Sequence, residues 1–350
     1  MFKKIVSIVL CCNLIFLLVS CSPKQEKQKF TETYIDYFDT VSTIVGFEYN
    51  KENFEKNIEF VKEELEEYHK LFDIYKSYHG INNLCTVNKN AGIAPVKVDV
   101  KIIELIEECI RLYNLTDGMT NVAMGSVLSI WHDYRTDGIS NPDSAELPPM
   151  EKLISASEHT DISKIIVDRE NSTVFLADPD MSLDVGAIAK GYATERIALD
   201  LINKGVSSYT LNIGGNIRTI GSKSDGSKWT ASVTDPNPES ETGYVTVVEL
   251  SDCAFVTSGS YQRFYVVDQK QYHHIIDPKT LMPKNDFTSV SVCAEDSGLA
   301  DALSTALFNL SYEEGLNLLD GLDGVEAMWI TDKYEMLYSK GFENIMQKNQ

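Results

Sequence analysis

Between Met181 and Ile202 the hydrophobic pattern changes period, and this change limits what the chain can become. Met181, Leu183 and Val185 alternate with Ser182 and Asp184, the two-residue period of an extended strand. From Ile188 onward, Ile188, Tyr192, Ile197, Leu201 and Ile202 can share one helix face, and Gly205 is a good stop. A buried strand therefore has to turn straight into a helix through Gly186, which lacks a side chain and lets the backbone approach a ligand closely. A helix start carries free N–H groups and a positive dipole end, which suits phosphate, and Lys190 adds a point charge beside it. An ordinary strand-turn-helix corner has the same local pattern, so both readings stay open on this stretch alone.

The flanking chain reads as an α and β mixture. Residues 31–49 read as paired strands. Phe54, Ile58, Val61, Leu65, Tyr68 and Phe72 form a helical stripe that is core. Residues 75–91 are irregular and polar, with Tyr75, Tyr78 and Asn88 available for a ligand. Ile102, Ile103, Leu105, Ile106 and Leu112 mark a second helix, closed by Thr116-Asp117-Gly118. Residues 121–134 carry Trp131 in a further helical segment, and residues 136–149 read as a loop. Beyond residue 165 the chain is mostly strand-like, with a hairpin turning at Arg169-Glu170-Asn171 and a Gly214-Gly215 turn after the strand at Tyr209. The exception is a helix over residues 297–310, with Ser297 as its cap.

The first twenty residues are a targeting segment: Lys3 and Lys4, then an apolar run from Ile5 to Val19. That run is shorter than the roughly 20 residues a membrane-spanning helix needs. It ends in Leu18-Val19-Ser20-Cys21, which resembles a bacterial lipoprotein signal with Cys21 as the lipidated residue. The expected organisation is a signal over 1–20, a flexible tether over 21–30, one domain over 31–341 and a tail over 342–350. The expected location is the extracytoplasmic face of the cell membrane. A formal charge of −21 argues against nucleic acid as a partner. Cys85, Cys109, Cys253 and Cys293 are widely spaced, without Cys-x-x-Cys, and read as buried free thiols rather than a zinc site.

Two places offer chemistry. Asp301 and Thr305 are four apart on the predicted helix, so one carboxylate and one hydroxyl share a face. Such a pair can hold magnesium alongside substrate phosphates, or be a solvated Asp beside a Thr that bonds back to its helix. His273 and His274 precede Ile275-Ile276-Asp277-Pro278; on a strand only one of them can face a given cavity, where it can act as a general base.

Five stretches taken in order resemble one family. They are Leu183-Asp184-Val185-Gly186-Ala187-Ile188-Ala189-Lys190-Gly191-Tyr192, then Asn212-Ile213-Gly214-Gly215-Asn216-Ile217, then Thr257-Ser258-Gly259-Ser260-Tyr261-Gln262-Arg263, then His273-His274-Ile275-Ile276-Asp277-Pro278-Lys279-Thr280, and Ala300-Asp301-Ala302-Leu303-Ser304-Thr305-Ala306. Together they resemble the FAD:protein FMN transferase (ApbE) family. The resemblance implies an α+β fold, with mixed or antiparallel sheets and packed helices around one FAD cleft. It implies cleavage of FAD with magnesium, transfer of FMN by a phosphoester to a Thr or Ser of an acceptor protein with a Ser/Thr-Gly-Ala-Thr-like motif, and release of AMP. Carried over by motif, Asp184 and Lys190 contact FAD, Ile275 lines the flavin pocket and Tyr75 stacks on the flavin. Met119, Thr120 and Asn121 stand where further contacts are made, with Thr120-Asn121-Val122 replacing the usual Phe-Asp-Pro. The Ala187 carbonyl, Asp301 and Thr305 hold the metal, and His274 is the base. Leu281 replaces the Gly usual after Asp-Pro-x-Thr. A magnesium-dependent FAD pyrophosphatase and a non-catalytic flavin-binding lipoprotein are the alternatives.

Overall fold

The computed structural model describes residues 26–35 and 37–348, so the signal segment and Cys21 lie outside the described residues. In chain order the elements are Gln28–Tyr34 (β1), Ser42–Glu48 (β2), Lys51–Phe72 (α1), Leu84–Lys89 (α2), Val96–Lys97 (β3), Val100–Leu115 (α3), Gly125–Ser140 (α4), Met150–Ser157 (α5), Ile165–Asp168 (β4), Thr173–Leu176 (β5) and Ala189–Asn203 (α6). They continue with Ser208–Ile213 (β6), Asn216–Gly221 (β7), Trp229–Thr234 (β8), Tyr244–Leu250 (β9), Ala254–Gly259 (β10), Phe264–Val267 (β11), Lys270–His273 (β12), Phe287–Ala294 (β13), Ser297–Asn309 (α7), Tyr312–Leu319 (α8), Glu326–Thr331 (β14) and Met336–Tyr338 (β15). The expected α+β class holds. Eight strands form one sheet in the order β1-β2-β6-β7-β10-β13-β14-β15. Every neighbouring pair in it is antiparallel.

The alternation of side chains across this sheet separates two cores. Ala254, Val256, Val290 and Val292 face α7, while Phe255, Cys293, Met328 and Ile330 face the β8–β9 hairpin on the other side. At the other end of the sheet Ile44, Tyr209, Leu211 and Ile213 pack under α1 and α6. The predicted stripe of α1 is buried from Phe54 to Phe72, as are the five predicted residues of α3. Gly214 and Gly215 make the two-residue turn between β6 and β7 with φ of 58° and 90°, a conformation that suits glycine and the twist of a tight hairpin.

Several boundaries differ from the sequence reading. The tether was expected to end at residue 30, but β1 begins at Gln28, whose partner across the sheet is Glu48. The expected tail is docked: Phe342 is fully buried against Phe255 and Tyr338, and the Gln347 N–H donates to the Val247 carbonyl at 2.8 Å. Residues 84–89 are helical, started by the Asn83 side chain accepting the Thr86 N–H. Helix α4 runs on to Ser140 through Gly138, where an added Cβ would lie 2.5 Å from the Tyr265 ring. Its end is thus set by packing on β11 rather than by local propensity. The cap of α7 is Asp296, which accepts the Leu299 N–H, not Ser297. Ile202 is exposed instead of sharing the buried face of α6.

Leu281 sits at φ 62°, the left-handed region where glycine is at ease. A residue with a Cβ loses about 1–2 kcal/mol there. Its side chain is buried in the cluster with Trp131, and the Trp131 indole N–H donates to its carbonyl at 2.9 Å, which offset that cost.

Candidate active site

The segment from Met181 to Val185 keeps its alternation, with Met181, Leu183 and Val185 buried, yet it joins no sheet. Its backbone is satisfied piecemeal. Asn88 takes the place of a strand partner: its Oδ1 accepts the Leu183 N–H at 2.8 Å and its Nδ2 donates to the Leu183 carbonyl at 3.0 Å. Asn88 is therefore structural, not free for a ligand. Tyr78 is likewise engaged, donating its hydroxyl to Asp73 at 2.7 Å.

Past the turn, α6 begins against α7. Gly191 is the contact: a Cβ there would lie 2.3 Å from the Ser297 carbonyl oxygen and 2.5 Å from the Asp301 Cβ. Because the two helices touch, Asp301 Oδ2 accepts the Gly191 N–H at 2.9 Å, and the Lys190 ammonium lies 3.7 Å from the same oxygen. The start of α6 thus presents its N–H to a carboxylate already in the fold, rather than to open phosphate space. Glu195 locks the pair of helices from below. It accepts the Ser297 N–H at 2.8 Å and receives the buried Arg218 guanidinium at 2.8 and 3.1 Å.

Above this junction is a cleft of about 760 Å³. Tyr75, Met119, Thr120, Asn121, Asp184, Ala187, Lys190, His274, Ile275, Asp301 and Thr305, each singled out in the sequence, all line it. Two of them have their side chains engaged elsewhere. The Thr120 hydroxyl donates to the Ala302 carbonyl at 2.7 Å. The Asn121 amide donates to the Thr160 carbonyl at 3.0 Å and accepts the Ala123 N–H at 2.9 Å. These two shape the floor. Tyr75 is 61% exposed at the rim, its ring 5.3 Å from that of His132. Burial pushes the Asp301 and Asp184 carboxyls up from their ordinary values, opposed at Asp301 by Lys190 and the Gly191 N–H, and at Asp184 first by the Gly186 N–H.

The two histidines separate cleanly. Carbonyl oxygens only accept, so a ring nitrogen facing one must carry the proton. His273 is buried with Nε2 2.9 Å from the Lys284 carbonyl, and its Nδ1 accepts the Ile275 N–H at 3.2 Å, so both nitrogens are committed. His274 has Nδ1 3.2 Å from the Arg263 carbonyl, which puts the proton on Nδ1 and leaves the Nε2 lone pair available. Burial, then the Arg263 and Arg135 guanidiniums, hold His274 down to about 3, so this ring is neutral. Neither Arg135 nor Arg263 was given a role from the sequence, though both line the cleft. Arg263 lay in view within the third motif, but nothing local marks Arg135.

The model of the ApbE family matches residues 38–329. The chain belongs to the ApbE family. A FAD:protein FMN transferase of Treponema pallidum is 35% identical over 261 residues, covering 71% of this chain and 70% of that protein. One from Klebsiella pneumoniae is 30% identical over 278 residues, 77% of this chain and 84% of its own length. The crystal structure of an ApbE protein from Thermotoga maritima matches with a TM-score of 0.79 at 27% identity, covering 92% of this chain and 100% of that one. The flavin transferase ApbE of Vibrio cholerae shares the fold with a TM-score of 0.75 at 24% identity, over 91% and 99% of the two chains. Measured against this ApbE frame, the five sequence stretches converge on a single cleft.

Proposed function

We infer that this chain is an FAD:protein FMN transferase. Beyond the family membership, one observation carries the reading: a neutral His274 with its Nε2 lone pair free lines the same cleft as the oxygen face of Asp301 and Thr305. The reaction joins an acceptor Ser or Thr oxygen to the FMN-side phosphorus of FAD. The bridging P–O bond breaks, AMP leaves with the electron pair, and the hydroxyl proton passes to His274 Nε2. Ala187, Asp301 and Thr305 line this cleft, and the Ala187 carbonyl with the Asp301 and Thr305 side chains would offer an all-oxygen donor set, which fits a hard cation such as magnesium. Such a cation would neutralise charge on the diphosphate. Asp301 supplies the one full charge of that set, and Gly191 and Lys190 orient its carboxylate. Ile275 and Tyr75 bound the flavin, while Asp184 and Lys190 contact FAD. The acceptor is a protein with a Ser/Thr-Gly-Ala-Thr-like sequence, a motif this chain does not contain.

Incubation with FAD and magnesium, with and without an acceptor peptide, tests the reading. Transfer gives AMP and a fluorescent, flavin-bearing acceptor. Free FMN formed equally with and without acceptor would make the protein a hydrolase instead, and no turnover would make it a binding protein.

The enzyme is further proposed to act at the extracytoplasmic membrane face, anchored by lipid on Cys21. The support is the Lys3-Lys4 start, the short apolar run and the Leu18-Val19-Ser20-Cys21 ending. The described residues contain no helix long and apolar enough to cross a membrane. Cys21→Ala is expected to leave the protein unprocessed or released into the medium. Continued membrane retention of a processed variant would count against the anchor.

A further inference from the structure

The chain has six arginines among 31 basic residues, set against 52 carboxylates. With so many acids available, an arginine left without one is informative. Arg111, Arg169, Arg196 and Arg218 each pair with a carboxylate. Arg135 and Arg263 have no carboxylate partner among the described residues, and both line the cleft. They come from separate parts of the chain, Arg135 from α4 and Arg263 from the turn before β11. Both guanidiniums bear on the same His274 ring; burial, and next the charge of Arg263, lowers the affinity of Arg135 for its proton, while Asp184 in the same cleft attracts Arg135 without forming an ion pair with it. Among the described residues the side-chain hydrogen bond of Arg135 is to the ring of His132, 3.2 Å away. Arg263 is joined to the base through its backbone, since its carbonyl fixes the His274 tautomer.

Two like charges sharing a cleft, neither of them ion-paired and with Asp184 offsetting only part of the charge, are an unfavourable arrangement unless a further anion sits between them. Guanidinium groups match the oxygens of phosphate in a planar fork, and phosphate contacts of this kind are strong and directional. We propose that Arg135 and Arg263 form a paired guanidinium seat for the phosphoryl group that passes from FAD to the acceptor. The proposal rests on the flavin-transfer reading and adds the residues that hold the reacting phosphate at the His274 end of the cleft. The acceptor O–P bond forms, the P–O bond to AMP breaks, the proton goes to His274 Nε2, and neither arginine gains or loses a proton. The transferred phosphate remains an anion in substrate and in product, so the seat is occupied throughout.

Riboflavin and FMN differ only in the phosphate, so their affinity ratio isolates it. Flavin fluorescence titration of the wild type should show FMN binding more tightly than riboflavin. In Arg135→Gln/Arg263→Gln the ratio should fall at least about tenfold towards one, with riboflavin affinity kept as a sign of an intact cleft. Arg263→Gln alone, at an exposed position, should give part of the effect, and Arg263→Lys should restore some of it as a point charge without the fork. Transfer by the double variant should drop on the order of 10²-fold, in the range for losing preorganised charge at a developing anion. An FMN-to-riboflavin ratio unchanged in the double variant overturns the seat. So does a wild type that binds the two flavins equally. A raised KM for the acceptor with the ratio unchanged would assign the arginines to an acidic group of the acceptor, which also overturns it. The two failures are distinct: a wild type that transfers FMN normally while the variants keep the ratio loses only the seat. A wild type that neither binds FMN nor releases AMP loses the transfer reading and the seat with it.

Discussion

Asp301→Asn is expected to lower FMN transfer by on the order of 10²-fold or more, the scale of losing one preorganised electrostatic group. The reacting phosphate is anionic, so an incoming oxygen is repelled, and AMP gains charge as the bridging bond breaks. Asp301 is the only carboxylate of the proposed donor set; Thr305 and the Ala187 carbonyl bring dipoles. Asparagine keeps the size and keeps an oxygen to accept the Gly191 N–H, so the contact between α6 and α7 survives. It removes the charge, which also leaves the Lys190 ammonium without its carboxylate neighbour at 3.7 Å. Two readouts should move together: a weaker magnesium affinity by calorimetry and a magnesium dependence of transfer displaced to higher concentration. FAD binding should be largely kept. Thr305→Val should do less, with partial rescue by excess magnesium. A magnesium titration of Asp301→Asn that overlays the wild type would remove the metal assignment.

His274→Ala should slow transfer by about 10²–10⁴-fold while FAD still binds, the range for removing a positioned general base. The neighbouring residue is the control. His273→Ala deletes a ring whose two nitrogens satisfy the Lys284 carbonyl and the Ile275 N–H, and which meets the Phe308 ring in a T-shaped contact with centroids 5.3 Å apart. Leaving those buried groups unpaired costs roughly 1–3 kcal/mol. That variant should melt earlier yet retain most of its transfer rate. If His273→Ala is the slow enzyme and His274→Ala the normal one, the base has been assigned to the wrong ring. The pH profile adds a second check. A base must be neutral to accept a proton, and His274 is held at about 3, below the ordinary 6.5. Transfer should therefore persist below about pH 6, where an unperturbed imidazole is mostly protonated. Loss of activity with a midpoint near 6.5 would mean that the base is an ordinary, solvated histidine.

Much of the architecture was legible because it is written in local period. The stripe from Phe54 to Phe72 and that from Ile102 to Leu112 repeat every three to four residues, and only a helix buries such a pattern. The Gly214-Gly215 turn was legible because two adjacent positions needed positive φ. The short α2 was missed because six polar-flanked residues carry no period. The length of α4 was missed because Gly138 reads as a breaker until Tyr265 is seen packed on it. Leu281 shows the converse: a backbone conformation suited to glycine persists without one, held by burial beside Trp131.

The sequence by itself determined the class of fold, the family motifs and the motif residues that line the cleft, since each is a property of a few consecutive positions. It placed His273 and His274 on one strand and so on opposite faces; the two do point apart, but β12 ends at His273 and His274 lies in the bend beyond it. It could not say which nitrogen holds the proton, because that depends on the Arg263 and Lys284 carbonyls, which only the folded chain brings up to the rings. Nor could it say that Asp301 would meet the N–H of Gly191, or that two of six arginines would share the cleft without an ion-pair partner among the described residues. Hydrogen bonds and charge repulsion act over a few ångströms. Which groups come within that range, from positions far apart in the chain, is decided by the packing of α4, α6 and α7 around the cleft.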